Sequence, residues 1–263
     1  MLSDVELDAC RSLALELAAF AIDRIVAERP RPEQISTKAN AADWVTETDL
    51  AVERHVRAAV LERFPGHRLV GEEYGESAGD ERAPSWYVDP VDGTTNFVHG
   101  LPWSSFSLAV VDDSGPAVGV VADPYRREVL SAVRGRGACL DGSPVRCSQA
   151  ETLTGAIVLT ELAAQSLWPG MTDLVAALSA EGCVTRIMGS NALSLASVGA
   201  GRAAAAVLGR FSPIDCIAGL LVAREAGARV IARGDWPAPG ERVLCAAPGV
   251  AGALAELVSR RPA

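Results

Sequence analysis

The chain has 263 residues, 49% hydrophobic and 22% charged, which is long enough for one large domain or two modest ones around a substantial core. Its formal net charge of −9 argues against nucleic acid or an anionic membrane as the main partner. It leaves room for a phosphate ester, because a bound divalent cation reverses the sign of a site. The six cysteines include no C-x-x-C pair and read as free thiols in a reducing cytosol, and the three scattered histidines do not indicate zinc. No apolar run approaches the roughly 20 residues that span a bilayer, and the N-terminus lacks a basic stretch before an apolar core. A cytoplasmic location is therefore expected.

The first segment reads as a helix with Leu15, Ala18, Ala19, Ile22 and Val26 on its buried stripe, ended by the Pro-rich "ERPRPE". A second helix is predicted from Thr48 to Arg63, with Val52, Val56, Ala59 and Val60 inward and Pro65-Gly66 as its stop. "HRLVGEE" and "SWYVD" then read as short strands, and "SFSLAVVDD", "PAVGVVADP" and "REVLSAV" as an antiparallel meander. From about residue 150 strands and helices alternate. "GAIVLT", "CVTRIM", "AAAAVL" and "ERVLCAAP" read as strands, and "MTDLVAALSAEG", "SNALSLASVGAG", "DCIAGLLVAREAG" and "GVAGALAELVSRR" as helices. Ile217, Ala218, Leu221 and Val222 are expected on one face of the third of these helices, and Val250, Leu254, Leu257 and Val258 on one face of the last. The change of pattern divides a single domain, residues 1–263, into lobes 1–146 and 147–263.

Acids gather at the ends of these elements. In "WYVDPVDGTTNF", Asp89 ends a strand, Pro90 is expected to stop the ladder, and Asp92 follows in a turn. Two carboxylates aimed at one point repel, and bound cations remove that cost; hard oxygen donors in a loose cluster suit Mg²⁺. Gly93 permits close backbone approach, and its amide with that of Thr94 forms a candidate anion nest. An Asx-type turn accounts for an isolated D-P-x-D-G equally well. Glu72 and Glu73 in "GEEYGE" follow another strand, where a solvated acidic face is the plain alternative. Asp49 in "DWVTETD" fits a capping box with Thr46, and helix capping also accounts for Asp215. Twenty-three arginines stand against one lysine, Lys38, which points either to chance or to a position that needs a compact point charge.

As a set these segments resemble the inositol monophosphatase family of metal-dependent, lithium-sensitive sugar phosphatases. "GEEYGE", "DPVDGTTNFVHG", "TKANAADWVTETD" and "IDCIAGLLVAREAGARV" match its elements in order, over about residues 10–258. The resemblance implies a layered α-β-α-β-α fold with mixed and antiparallel sheets, and a homodimer. It implies two or three Mg²⁺ ions held by Glu72, Asp89, the Val91 carbonyl, Asp92 and Asp215, with Asp89 bridging. Asp49 and Thr94 would orient the attacking water, with Glu72 assisting through a third ion. Gly93 and Thr94 would hold the phosphate, with Asp92 and Asn191 near the substrate and Lys38, Asp43 and Glu73 in support. The implied reaction is hydrolysis of a small polyol or sugar phosphate without a phosphoenzyme. Histidinol phosphate, fructose 1,6-bisphosphate and nucleotide 3′-phosphate are alternative substrates on the same scaffold, and a non-catalytic regulatory role is a further alternative.

Asp89 and Asp92 stand three apart, which is out of register for the D-x-D-x-T motif of the aspartyl phosphatases, and no P-loop motif is present. Two positions depart from the family pattern. Ile214 stands where the family has tryptophan, and Val207 or Leu208 stands where it has an acid that hydrogen-bonds inositol.

Overall fold

Ser3 starts the first helix with a capping box: its amide donates to Glu6 at 2.8 Å, and the Glu6 amide donates back to Ser3 Oγ at 3.4 Å. The resulting helix, α1 (Asp4–Ala27), buries Leu7, Cys10, Leu13, Ala14, Leu17, Ala18, Ala21, Ile22 and Ile25. This corrects the expected stripe, since Ala19 and Val26 are exposed and Leu15 is half-buried. The exposed side carries Asp8, Ser12, Glu16 and Asp23 but also Ala9, Ala19 and Val26, so apolar residues stand on both sides and blur the edge of the buried stripe. The computed structural model describes residues 1–28, 35–37, 44–77, 80, 82–162 and 166–259. Lys38 and Asp43 lie outside the described residues.

A two-stranded ribbon, β1 (Ile35–Thr37) and β2 (Trp44–Thr46), leads into α2 (Glu47–Arg63). The next eight strands are β3 (Arg68–Gly71), β4 (Gly75–Glu76), β5 (Ser85–Asp92), β6 (Ser105–Asp112), β7 (Gly115–Asp123), β8 (Glu128–Val133), β9 (Ala138–Leu140) and β10 (Ser143–Val145). They form one sheet in the order β10-β9-β8-β7-β6-β5-β3-β4, parallel only between β3 and β5. The expected meander is β6–β7–β8. Pro90 does not end β5, as the sequence reading expected. The strand runs to Asp92, with a register shift between the pairs Asp89↔Ser107 and Asp92↔Ser105. Proline is tolerated there because the irregularity requires no ladder N–H from it.

Strand alternation sorts the core. Phe106, Leu108 and Val110 of β6 face α1 and α2, whereas Ala109 faces the opposite side. On that opposite side lie α5 (Asn191–Gly199) and α6 (Pro213–Glu225), which pack on each other and on both sheets. α6 is buried from Cys216 to Ala223 on all sides rather than on the single face expected. The second sheet has the order β12-β11-β13-β15-β14 and comprises β11 (Ile157–Glu161), β12 (Val184–Arg186), β13 (Ala205–Leu208), β14 (Arg229–Ile231) and β15 (Val243–Ala246). β15 runs antiparallel to its neighbours, and α4 (Met171–Ala180) and α7 (Pro248–Ser259) cover the outer face. The layers are thus α-β-α-β-α, the fold class expected from the sequence. All six cysteines are unbridged, and no described helix is long and apolar enough to cross a membrane.

Candidate active site

The end of β5, the tip after β3 and the first turns of α5 and α6 meet at a cleft of about 390 Å³. Glu72, Asp89, Val91, Asp92, Gly93, Thr94, Asn191 and Asp215 line it, so eight of the residues singled out in the sequence come together. Asp49 and Glu73 are not among the lining residues. Asp49 is buried at the start of α2, where its Oδ2 accepts the Thr46 amide at 2.9 Å and the Thr46 hydroxyl, so the capping box is real.

The β5 irregularity shapes the centre. Asp89 Oδ1 accepts the Val91 amide at 3.0 Å, and the Thr94 hydroxyl donates to the Val91 carbonyl at 2.9 Å. Gly93 adopts φ +87°, and a Cβ there would stand 2.7 Å from the Gly189 carbonyl, so only glycine fits. It begins α3 (Thr94–His99), a one-turn helix where the sequence reading expected only a turn. The first intrahelical bond is Phe97 N–H to Gly93 O, 3.1 Å, which leaves the Thr94 and Thr95 amides without an intrahelical acceptor.

Asp92 is pinned from α5. It accepts the Ser190 hydroxyl, the Asn191 amide at 3.3 Å and the Ala192 amide at 2.8 Å. Burial pushes its carboxyl to about 7 against those bonds. Asp215, in the first turn of α6, is also raised to about 7, by burial and by Asp92 and Glu72, although Ser212 and Asn191 hydrogen-bond to it. Burial, Glu72, Asp92 and Asp215 together hold Asp89 well above the usual carboxylate range.

Among the described residues that line the cleft there is no lysine or arginine. Four mutually repelling carboxylates, a backbone carbonyl and a hydroxyl make an oxygen-only donor set, which fits a hard divalent cation. Among the described residues no three Asp, Glu, His or Cys side chains stand as a closed ligand group, and Asp92 is engaged with Ser190 and the α5 amides. The fit is thus one of donor chemistry and location, and it requires side-chain turning.

Of the lining residues that the sequence reading did not single out, three stand out by chemistry or size. Glu161 ends β11, is buried, and accepts the Ser194 hydroxyl and the Gly189 amide, each at 2.6 Å; burial lifts its carboxyl to about 7. Its signal was available, since it is a strand-end acid like Glu72 and Asp89. Asn96 donates to the Trp103 and Met188 carbonyls, each at 2.7 Å, tying the β5 side of the cleft to the β12–α5 loop. Trp44 is the third. A side cavity of about 240 Å³ shares Glu161, Leu162, Asn191 and Asp215 with the cleft and continues to Leu208 and Arg210. Leu208 therefore lines the side cavity, while Val207 packs among the apolar residues under α7.

Residues 6–262 match the model of the inositol monophosphatase family. The chain is 37% identical over 202 residues to Nus factor SuhB of Salmonella typhimurium, covering 76% of this chain and 75% of that protein. It is 33% identical over 235 residues to human inositol monophosphatase 2, covering 87% and 82% respectively. The solved inositol monophosphatase from Anabaena (Nostoc) sp. PCC 7120 superposes with a TM-score of 0.85 at 26% identity, over 98% of each chain.

Proposed function

The chain belongs to the inositol monophosphatase family, and from that premise we propose that it is an Mg²⁺-dependent hydrolase of phosphate monoesters of small polyols or sugars. Membership supports a metal-dependent phosphatase of this superfamily. The observation that carries the finer reading is the convergence of Glu72, Asp89, Asp92 and Asp215, from three separate stretches of chain, beside the open first turn of α3.

In this reading Glu72, Asp89, the Val91 carbonyl, Asp92 and Asp215 would hold two or three Mg²⁺ ions. The chemistry such ions would supply is a lowered pKa of bound water and screening of the phosphoryl oxygens and the leaving alkoxide. The Gly93 and Thr94 amides receive the phosphate at a helix start. Thr94, steered by its bond to the Val91 carbonyl, would orient the attacking water for direct displacement without a phosphoenzyme, and Asp49, buried outside the cleft lining, would assist once its carboxylate turns from the Thr46 cap. Asp92 and Asn191 lie on the substrate side, with Lys38, Asp43 and Glu73 in support. The chain acts as one domain, with lobes 1–146 and 147–263 meeting at the cleft. It works as a lithium-sensitive cytoplasmic homodimer that needs neither nucleic acid nor membrane.

Leu162, Ile187, Met188, Trp44 and Leu208 give the cleft and side cavity apolar walls. A panel of sugar, polyol, amino-alcohol and nucleotide phosphates, assayed for phosphate release with Mg²⁺, tests the reading. Myo-inositol 1-phosphate is expected to be hydrolysed but matched or exceeded by another ester, and release from none of them refutes the assignment. The relatives named Nus factor SuhB favour a second reading, a regulatory binding role. It would be supported if the intact, metal-loaded protein were inert on the whole panel.

A further inference from the structure

We propose that Glu53, outside the cleft, is a positioning residue that sets the cleft's metal affinity by fixing the turn that carries Glu72. This rests on the reading of Glu72 as a metal ligand.

Glu53 lies on α2, one turn after Asp49, and is fully buried. Its Oε2 accepts the Glu73 amide at 2.7 Å, and its Oε1 accepts the Tyr74 amide at 3.1 Å and Arg57 Nε at 2.9 Å. The receiving segment is the tip of the β3–β4 hairpin, closed by the pair Gly71↔Gly75. The Glu53 carboxylate fills the space beside Gly71: a Cβ there would stand 2.0 Å from Oε1 and 2.7 Å from Oε2. Glycine at that position is thus required by Glu53. Arg57 also donates to the Gly75 carbonyl and lies 5.7 Å from the centre of the Tyr74 ring. On the other side of the tip the Glu72 amide donates to the Val88 carbonyl at 3.3 Å, next to Asp89.

Glu72 itself is exposed, and its side chain reaches the buried carboxyl of Asp89. Its backbone is fixed between the Val88 carbonyl and two amides that end on one buried carboxylate. Without that carboxylate the two amides lose their acceptor, and the entropy of ordering the tip is charged to metal binding. Arg57 compensates the charge of Glu53, so the clamp adds no net charge near the cleft. Gln at this position has the same shape but only one acceptor oxygen. Its NH₂ group must face a donor.

The test is Mn²⁺ binding to the metal-free full-length protein, read by electron paramagnetic resonance, together with hydrogen exchange at the Glu73 and Tyr74 amides. Glu53→Gln should raise the Mn²⁺ Kd about tenfold and speed exchange at those two amides. Substrate KM should hold, and kcat at saturating Mg²⁺ should fall by less than about threefold. Glu53→Asp, a milder change that keeps the charge but cannot reach both amides, should give an intermediate Kd and serves if the Gln variant does not fold. Variants with a lowered Tm but wild-type Kd and wild-type exchange at the tip would overturn the inference. Wild-type protein that binds no Mn²⁺ would instead overturn the metal-site reading on which it rests.

Discussion

Asp92, Asp215 and Glu161 are buried or half-buried acids whose carboxyls stand at about 7. Unfolded carboxyls of these types titrate near about 4. Between those values the native state keeps protons that the unfolded chain has released, so these three groups make the metal-free protein lose stability as pH rises from about 4 to 7. A divalent cation binds only the deprotonated acids and offsets their repulsion. Saturating Mg²⁺ should therefore raise Tm little at pH 5.5 and clearly more at pH 8, as measured by differential scanning fluorimetry; an equal or reversed effect would contradict this role for the acids. Thr94 has one hydroxyl that donates to the Val91 carbonyl and is free to accept from a water. Thr94→Ala should lower kcat by about 10² or more and raise KM much less, because orientation of the water matters chiefly in the transition state. Steady-state kinetics with the best substrate of the panel provides the check, and a KM effect alone would remove Thr94 from the chemistry.

The alternation of β13 places Ala206 and Leu208 toward the central helices and Ala205 and Val207 toward α7. That alternation could not be used on "AAAAVL" because every residue in the run is apolar, so the run shows no polar face. The stripe of α1 was misplaced for another reason: apolar Ala19 and Val26 lie on its exposed side among Ser12, Glu16 and Asp23. By contrast, the inner valines of α2, set against charged neighbours, were legible: Val52, Val56 and Val60 are all buried. With Leu208 now placed on the side cavity, Leu208→Glu offers an acceptor to a substrate hydroxyl. It should shift kcat/KM toward inositol 1-phosphate over less hydroxylated esters by roughly tenfold, since one satisfied hydrogen bond is worth about 1 kcal/mol or somewhat more. Arg210 on the same cavity should disfavour amino-alcohol phosphates, whose ammonium it repels. Unchanged ratios in a folded Leu208→Glu variant would remove this cavity from substrate selection.

At the scale of the whole molecule the cleft is a product of layering. The long first sheet delivers Glu72, Asp89 and Asp92, and the central helix layer delivers Asn191 and Asp215. The strand-end acids were legible because charge at the end of an apolar run has no packing explanation. Glu53, in an ordinary helical context, and Asn96, in the turn after Gly93, were not, because the importance of each comes from groups distant in sequence that folding brings to it: the 71–75 tip for Glu53 and the Met188 carbonyl for Asn96. The β1–β2 ribbon and β4 were illegible for another reason, being too short to show a period.

The most direct test of the central claim follows phosphate release by the full-length protein after chelation, during titration with Mg²⁺ and separately with Ca²⁺, alongside Asp89→Asn. The account predicts no activity after chelation, recovery with Mg²⁺ well beyond that with Ca²⁺, and no recovery in the variant at any metal concentration. Full activity of the chelated protein, or a phosphorylated Asp89 trapped during turnover, would contradict it.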